Sequence, residues 1–263
     1  MLNFCSLYSG SSGNSLFVQT ANSKILIDCG VSSKKVEEAL NSIEVAPSSI
    51  DAVLVTHEHI DHVKGLATFS SKFNIPVFST AETFENMEKI TSKISENNLN
   101  YFKINEKFCI GDLEILPFAI PHDAANPCGF NIFKDKKKIS IATDLGHVSA
   151  DILKSLRNSS LVMLESNYDA NVLQYSSYPY LLKQRICGPK GHLENCATGQ
   201  TIAHLIGSGL EQALLIHLSK ENNFPELALK TVTEELQRQK FSASSVSLNV
   251  APRSSPSKLF EII

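Results

Sequence analysis

The apolar positions of this chain fall into short runs separated by turns, and these runs set the order of elements. Phe4-Cys5-Ser6-Leu7-Tyr8 and Leu16-Phe17-Val18 flank the small-residue stretch Ser9-Gly10-Ser11-Ser12-Gly13-Asn14-Ser15, a pattern that predicts strand, turn, strand. Lys24-Ile25-Leu26-Ile27-Asp28 predicts a third strand, closed by Gly30. From Ser32 or Ser33 to residue 43 the spacing of Val36, Ala39, Leu40 and Ile43 is helical, with Pro47 beyond its end. Ala52-Val53-Leu54-Val55 has the character of a short buried strand. Leu66, Phe69 and Phe73 predict a helix that ends before Pro76. Strand Val77-Phe78 and a helix near 81–94 follow.

The middle of the chain is strand-rich, with runs at 101–104, 108–110, 113–118, 128–133 and 139–142. Between the last two, Lys134-Asp135-Lys136-Lys137-Lys138 fits a solvated hairpin tip or, alternatively, a contact to nucleic acid. The second half alternates helix and strand. A helix near 149–157 leads to a strand at 161–164, and a helical tract over 171–186 is interrupted by Pro179. A helix over roughly 194–206 is stopped by Gly207 and Gly209, and Gln212-Ala213-Leu214-Leu215-Ile216-His217 is an apolar strand ending in histidine. Pro225 opens a last helix and 246–250 a last strand. No Pro/Gly-rich linker or repeat divides the chain, so one domain over 1–263 is expected. The order of elements suits an α/β (α+β) architecture, two packed sheets with helices on the outside.

Composition narrows the setting. With 263 residues, 43% of them hydrophobic, the chain can bury a sizeable core. Its net charge of −3 argues against a uniformly basic nucleic-acid binder, while leaving room for a local basic groove or for metals that supply the positive charge. The first residues lack a basic n-region and a long apolar h-region, and no apolar stretch approaches transmembrane length, so no membrane partner is expected. The six cysteines are scattered and form no CxxC pair, which points to a reduced, cytoplasmic setting.

The candidate chemistry gathers at Val55-Thr56-His57-Glu58-His59-Ile60-Asp61-His62-Val63-Lys64-Gly65, just behind the apolar run 52–55. Extended backbone sends alternate side chains to one side, so His57 and His59 can converge on one cation. Asp61 and His62, once the chain turns, are free to face a second. Imidazole and carboxylate together suit zinc, manganese or iron. Three more polar residues stand where apolar strands give out: His122, Asp144 and His217. A Ser/Gly turn can present backbone N–H groups to an anion, which makes Ser11, Ser12 and Asn14 candidate substrate contacts.

The stretch His57-Glu58-His59-Ile60-Asp61-His62 resembles the HxHxDH loop of the metallo-β-lactamase fold. Gly10-Ser11-Ser12-Gly13-Asn14-Ser15, Pro121-His122-Asp123-Ala124, Ala142-Thr143-Asp144 and His217-Leu218-Ser219-Lys220-Glu221-Asn222-Asn223 are similar to the WalJ/YycJ-type bacterial subfamily. The resemblance implies an αββα sandwich, two mixed β-sheets packed face to face, with the site at one edge. It assigns His57, His59 and His122 to one divalent ion and Asp61, His62 and His217 to another, with Asp144 bridging them. Two stretches depart from the subfamily. Tyr168 stands where its ESNHD motif has histidine, and Gly191-His192-Leu193-Glu194-Asn195-Cys196 replaces its GHLSNE.

The expected chemistry is phosphodiester hydrolysis at a two-metal centre, with a metal-bridging hydroxide as nucleophile. Asp61 and His192 are the catalytic candidates. His192 would donate the proton to the leaving alkoxide, or else bind phosphate at the start of the 194–206 helix. His147 and His204 read as structural. A nuclease acting on DNA ahead of RNA, in the 5′→3′ exonuclease sense, is what the subfamily resemblance implies. The alternative is a small-molecule hydrolase of the same fold: a cyclic-phosphate phosphodiesterase, thioesterase or lactonase. A flavo-diiron oxidoreductase fits less well, because its loop carries Glu at the position of His59.

Overall fold

The computed structural model describes residues 1–242 and 244–262. Its first sheet collects β1 (Leu2–Tyr8), β2 (Ser15–Gln19), β3 (Lys24–Ile27), β4 (Ala52–Leu54), β5 (Val77–Ser79) and β6 (Leu99–Tyr101). The second sheet holds β7 (Phe108–Ile110), β8 (Leu113–Ala119), β9 (Cys128–Lys134), β10 (Lys137–Ala142), β11 (Leu161–Glu165), β12 (Gln212–Ile216) and β13 (Ser247–Val250). Finally β14 (Phe260–Ile262) returns to the first sheet beside β1, giving the orders β14-β1-β2-β3-β4-β5-β6 and β13-β12-β11-β10-β9-β8-β7. Both sheets are mixed: β3 to β6 and β10 to β13 run parallel, and the remaining pairs are antiparallel.

The side-chain period of two explains the layers. One set of positions, such as Phe4, Val18, Ile25 and Leu54 facing Phe130, Ile141, Met163 and Leu214, fills the space between the sheets. The intervening positions face outward onto helices. Leu7, Phe17, Leu26 and Val53 pack on Val36 and Leu40 of α1 (Ser33–Ser42) and, past the short α2 (Ile60–Val63), on Leu66 and Phe69 of α3 (Leu66–Phe73). The first sheet also carries α4 (Ala81–Asn86) and α5 (Glu88–Thr91). On the far side Val162, Leu164, Ala213 and Leu215 are covered by α6 (Ala150–Leu156), α9 (Asn195–Ile206) and α10 (Pro225–Arg238), while α7 (Ala170–Tyr175) and α8 (Tyr180–Ile186) lie between β11 and α9 in the chain. The result is the expected αββα sandwich.

Several expectations change in detail. The helix near 81–94 breaks at Met87, whose φ of −121° leaves the helical region. The strand placed at 101–104 pairs at 99–101 instead. Phe102 and Ile104 are apolar because they pack into the sandwich, Phe102 stacked on Phe108 with ring centroids 5.4 Å apart. The 134–138 tract is a hairpin tip, but it is not uniformly solvated. Lys138 is buried and donates to the carbonyls of Ser155 and Arg157, while Lys134 pairs with Asp112 and Lys137 with Glu211. Strand β14 was not foreseen. Among the described residues all six cysteines are free, and no helix is long and apolar enough to cross a membrane.

Candidate metal centre

The parallel strands, and β8 two places from β10, deliver their polar ends to a common edge. After β4 come Thr56, His57 and His59; after β8, His122; after β10, Asp144; after β12, His217. Asp28 follows β3, and Glu165 is the last residue of β11. Asp28, Asp144 and His217 have φ of 64°, 56° and 57°. Left-handed backbone at a non-glycine residue costs on the order of 1–3 kcal/mol and persists only where the surroundings hold it. All three residues are 2% exposed or less.

The loop carrying the first cluster is pinned from below. The Asn14 and Cys29 N–H groups donate to the carbonyls of Asp61 and His62, each at 2.8 Å. Gly30 lies so close that a Cβ there would stand 1.7 Å from the Asp61 carbonyl oxygen, so any side chain at 30 would displace the ligand loop. The Asn14 amide reaches His62 Nε2 at 3.1 Å and the Asp61 carbonyl at 3.3 Å, while its oxygen accepts from Gly10 N–H. Asn14 thus braces the loop. Ser11 and Ser12 lie exposed on the turn beside it.

The seven expected ligands come together. One nitrogen each of His57, His59 and His122 lie within 4.8 Å of one another, as do ligand atoms of Asp61, His62 and His217, and of His57, His62 and Asp144. Hydrogen bonds select the nitrogen each ring presents. Thr56 Oγ1 donates to Asp28 at 2.8 Å and so accepts from His57 Nδ1 at 3.0 Å, which leaves His57 Nε2 facing the cluster. His62 Nδ1 donates to Asp28 at 2.7 Å, His122 Nδ1 to the Gly191 carbonyl at 3.1 Å, and His217 Nδ1 to Glu165 at 2.8 Å. Such outer partners orient ligating imidazoles.

This donor set fits divalent metal. The buried His57 Nε2 and His217 Nε2 have no hydrogen-bond partner among the described residues, the Asp61 carboxylate standing 3.6 Å from the latter. Buried carboxylates need a paired charge or a metal. Asp28, Asp144 and Glu165 are all buried, and among the described residues none pairs with lysine or arginine. Burial, above all, holds His57 well below the ordinary imidazole pKa, so its Nε2 keeps a free lone pair. For His62, burial is outweighed by Asp144 and Asp28, which draw a proton onto the ring in the protein alone. A bound cation takes the place of such a proton.

Glu165 and Asp28 were missed as site residues. Both are acids ending apolar strands, the same signal that marked Asp144. Glu165 accepts four hydrogen bonds: His192 Nδ1 and His217 Nδ1 at 2.8 Å on Oε1, and the N–H groups of Leu145 and Leu193 at 2.9 and 3.1 Å on Oε2. Burial pushes this carboxyl up, but His192 and the other donors bring it below its usual value. Burial also opposes charge on His192, yet Glu165 and Asp144 raise its pKa above the ordinary imidazole value. His192 lies beside the ligand cluster, its Nδ1 3.7 Å from Asp144, and lines a cavity of about 430 Å³ together with His147, Tyr168, Glu194, Gln200 and His204. His147 donates to the Pro189 carbonyl and His204 to that of Gln200. Tyr168 is buried and forms a bridge with Glu194, so the two departures from the subfamily pattern meet in space.

Comparison with known proteins gives a consistent picture. The sequence profile of the β-lactamase superfamily domain matches residues 23–218. Exodeoxyribonuclease WalJ of Streptococcus pneumoniae serotype 2 (strain D39) is 35% identical over 232 residues, covering 88% of this chain and 86% of that protein. Exodeoxyribonuclease YycJ of Bacillus anthracis is 33% identical over 240 residues, 91% of each chain. Among solved structures, the metallo-β-lactamase fold protein YhfI from Bacillus subtilis matches with a TM-score of 0.73 at 15% identity, over 99% of this chain and all of that one. Zn²⁺-bound PqqB from Methylobacterium extorquens gives 0.71 at 15% identity, over 98% and 100%. Those two likenesses speak for the fold, whereas the profile and the WalJ and YycJ relatives, spanning most of both chains, carry the assignment: the chain belongs to the β-lactamase superfamily, in its WalJ/YycJ group.

Proposed function

We propose that this chain is a metal-dependent nuclease that hydrolyses DNA phosphodiesters from an end, in the 5′→3′ sense. The observation that carries the reading is the Glu165–His192 pair standing at the rim of a seven-ligand cluster. The WalJ and YycJ relatives, named exodeoxyribonucleases, supply the substrate class. His57, His59 and His122 would hold one divalent ion and Asp61, His62 and His217 a second, with Asp144 common to both. When bound, such ions supply Lewis acidity and lower the pKa of water toward neutrality. Zinc, manganese and iron all suit these ligands.

The chain's own groups do the rest. With Nδ1 engaged by Glu165, His192 keeps Nε2 to hold a proton for the leaving alkoxide. Asp61, with 23% of its side chain exposed against 3% for Asp144, is the ligand acid that reaches solvent and can orient an attacking water. Ser11 and Ser12, on the exposed turn above Asn14, would meet the substrate backbone.

The test of this reading is a substrate panel. Metal-reconstituted protein should cleave end-labelled DNA and bis-p-nitrophenyl phosphate far better than a thioester or a β-lactam, and DNA products should appear progressively from the 5′ end. A preferred thioester with every nucleic acid untouched would replace the nuclease by a small-molecule hydrolase. Metal content is a separate prediction. Elemental analysis should approach two divalent ions per chain, and Asp144→Ala should lose at least one. A single ion at saturation, unaffected by Asp144→Ala, would rule out the dinuclear centre.

A further inference from the structure

The segment between β11 and α9 differs from the rest of the surface. Over 170–191 the chain carries Lys183, Arg185 and Lys190 and no acidic residue, although the whole chain has 27 acids against 24 bases. The same stretch holds Tyr175, Tyr178 and Tyr180, three of the six tyrosines. Tyr175 is 83% exposed, Tyr180 72% and Leu181 77%, and α8 has no buried residue at all. Only Leu182, Lys183 and Ile186 of α8 are half-buried, so the rings of Tyr175 on α7 and Tyr180 on α8 contribute little to the core, although the Tyr180 hydroxyl accepts from Gln184 Nε2 at 2.7 Å. Both rings are left open to a partner from solution.

The segment is nonetheless firmly placed against the metal centre. Lys183 Nζ donates to the carbonyls of Gln174 and Ser176 at 2.8 and 2.7 Å, which fixes the turn between α7 and α8. Arg185 Nε donates to Asp123, beside His122, at 2.6 Å, and the Gly191 carbonyl accepts from His122 Nδ1. A groove of about 680 Å³ runs along the segment, lined by Leu173, Tyr178 and Lys183 among others. It is also lined by Tyr180, and it shares Tyr168 and Glu194 with the cavity at His192, which places it next to the proposed acid.

We propose that α7 and α8 form a stacking platform for the single-stranded part of a nucleic-acid substrate, a proposal that rests on the nuclease reading above. Bases stack on Tyr175 and Tyr180, while Lys190 and the outer edge of the Arg185 guanidinium meet backbone phosphates. Aromatic faces accept any base, and nearby cations follow the strand's charge, the combination that sequence-tolerant single-strand binding uses. The absence of any acid over 170–191 in a net acidic chain favours a polyanion over a second copy. Because tyrosine and arginine are also enriched at seams between copies, the test includes the oligomeric state. The platform would keep the strand engaged while its end occupies the metal centre.

The test is binding of metal-loaded protein to a labelled single-stranded phosphorothioate oligonucleotide, read by fluorescence anisotropy. Tyr175→Ala with Tyr180→Ala should raise Kd by roughly tenfold or more, the effect expected for losing one to two stacked bases. The Phe/Phe double variant should bind like wild type, and the Leu/Leu variant should be as weak as Ala/Ala. Lys190→Gln should lower the slope of log K against log salt by about 0.7, the value of one single-strand phosphate contact. Wild-type affinity in the Ala/Ala or Leu/Leu variant would overturn the platform. So would a wild-type dimer that the Ala/Ala variant dissociates with oligonucleotide affinity intact. If wild type hydrolyses bis-p-nitrophenyl phosphate but neither binds nor cleaves any oligonucleotide, the nuclease reading itself fails. Cleavage of DNA with unchanged binding in Ala/Ala removes the platform alone.

Discussion

His192→Ala should retain its metal and lose roughly 10²–10⁴-fold in kcat on DNA, the range for a positioned general acid. The Glu165 contact favours proton donation over ligation. His192 Nδ1 is spent on Glu165, and the ring is absent from the three groups made only of expected ligands. It does group with Asp144, Glu165 and His217, so metal retention in the variant is the deciding readout. An alkoxide leaving from DNA needs a proton badly, whereas a nitrophenolate leaves with little help. The variant should therefore be crippled on DNA yet keep much of its activity on bis-p-nitrophenyl phosphate. Equal losses on the two substrates would make His192 a phosphate contact instead. Loss of bound metal would make it a ligand, and the assignment of the other seven would have to be redrawn.

Glu165→Gln should be the most damaging of the near-isosteric changes. Each carboxylate oxygen accepts from two donors, imidazoles on one side and backbone N–H groups on the other. An amide must turn its NH₂ toward one of those pairs, so either the two backbone N–H groups lose their acceptor or the imidazoles must change tautomer to accept. For His217 that change turns a proton onto the nitrogen facing the metal site. Each such orphan costs about 1–3 kcal/mol, and the melting temperature should fall. Because Glu165 also orients His217, metal affinity should drop by about 10–100-fold, the usual effect of removing an outer partner of a ligand. Activity should then fall on both DNA and bis-p-nitrophenyl phosphate, unlike the split expected for His192→Ala. Metal titration decides the point: wild-type affinity in Glu165→Gln would confine the residue's role to His192.

The metal loop was legible because its signal is local. His57 to His62 lie within six residues, and the apolar run ahead of them announced the strand that carries them. His122, Asp144 and His217 were legible by repetition of that placement. Glu165 and Asp28 satisfy the same rule, but each is a single acid whose partners lie 20 to 52 and 28 to 34 residues away respectively. Only the fold brings those partners together. Lys138 shows the reverse failure, since five consecutive polar residues suggested solvent while β-sheet alternation turned one of them inward. The shift of β6 has a similar cause, because Phe102 is apolar on account of the Phe108 ring rather than a strand partner.

Strand β14 has a consequence for how the molecule is made. Leu2 pairs with Ile262 and Phe4 with Phe260, and Ser6 exchanges hydrogen bonds with Ser257. Arg253, in the same late stretch, donates to the Leu218 carbonyl and lies against Gly10. During synthesis, β1 therefore leaves the ribosome long before the strand that will cover its edge. An uncovered edge is a template for pairing with another chain, and closing so long a loop is slow. The turn at Ser9–Gly13 and the loop after His217 also wait for Arg253. The nascent protein can thus hold both sheets in outline while the joint between its two halves is still open, and the catalytic edge is the last part to be clamped.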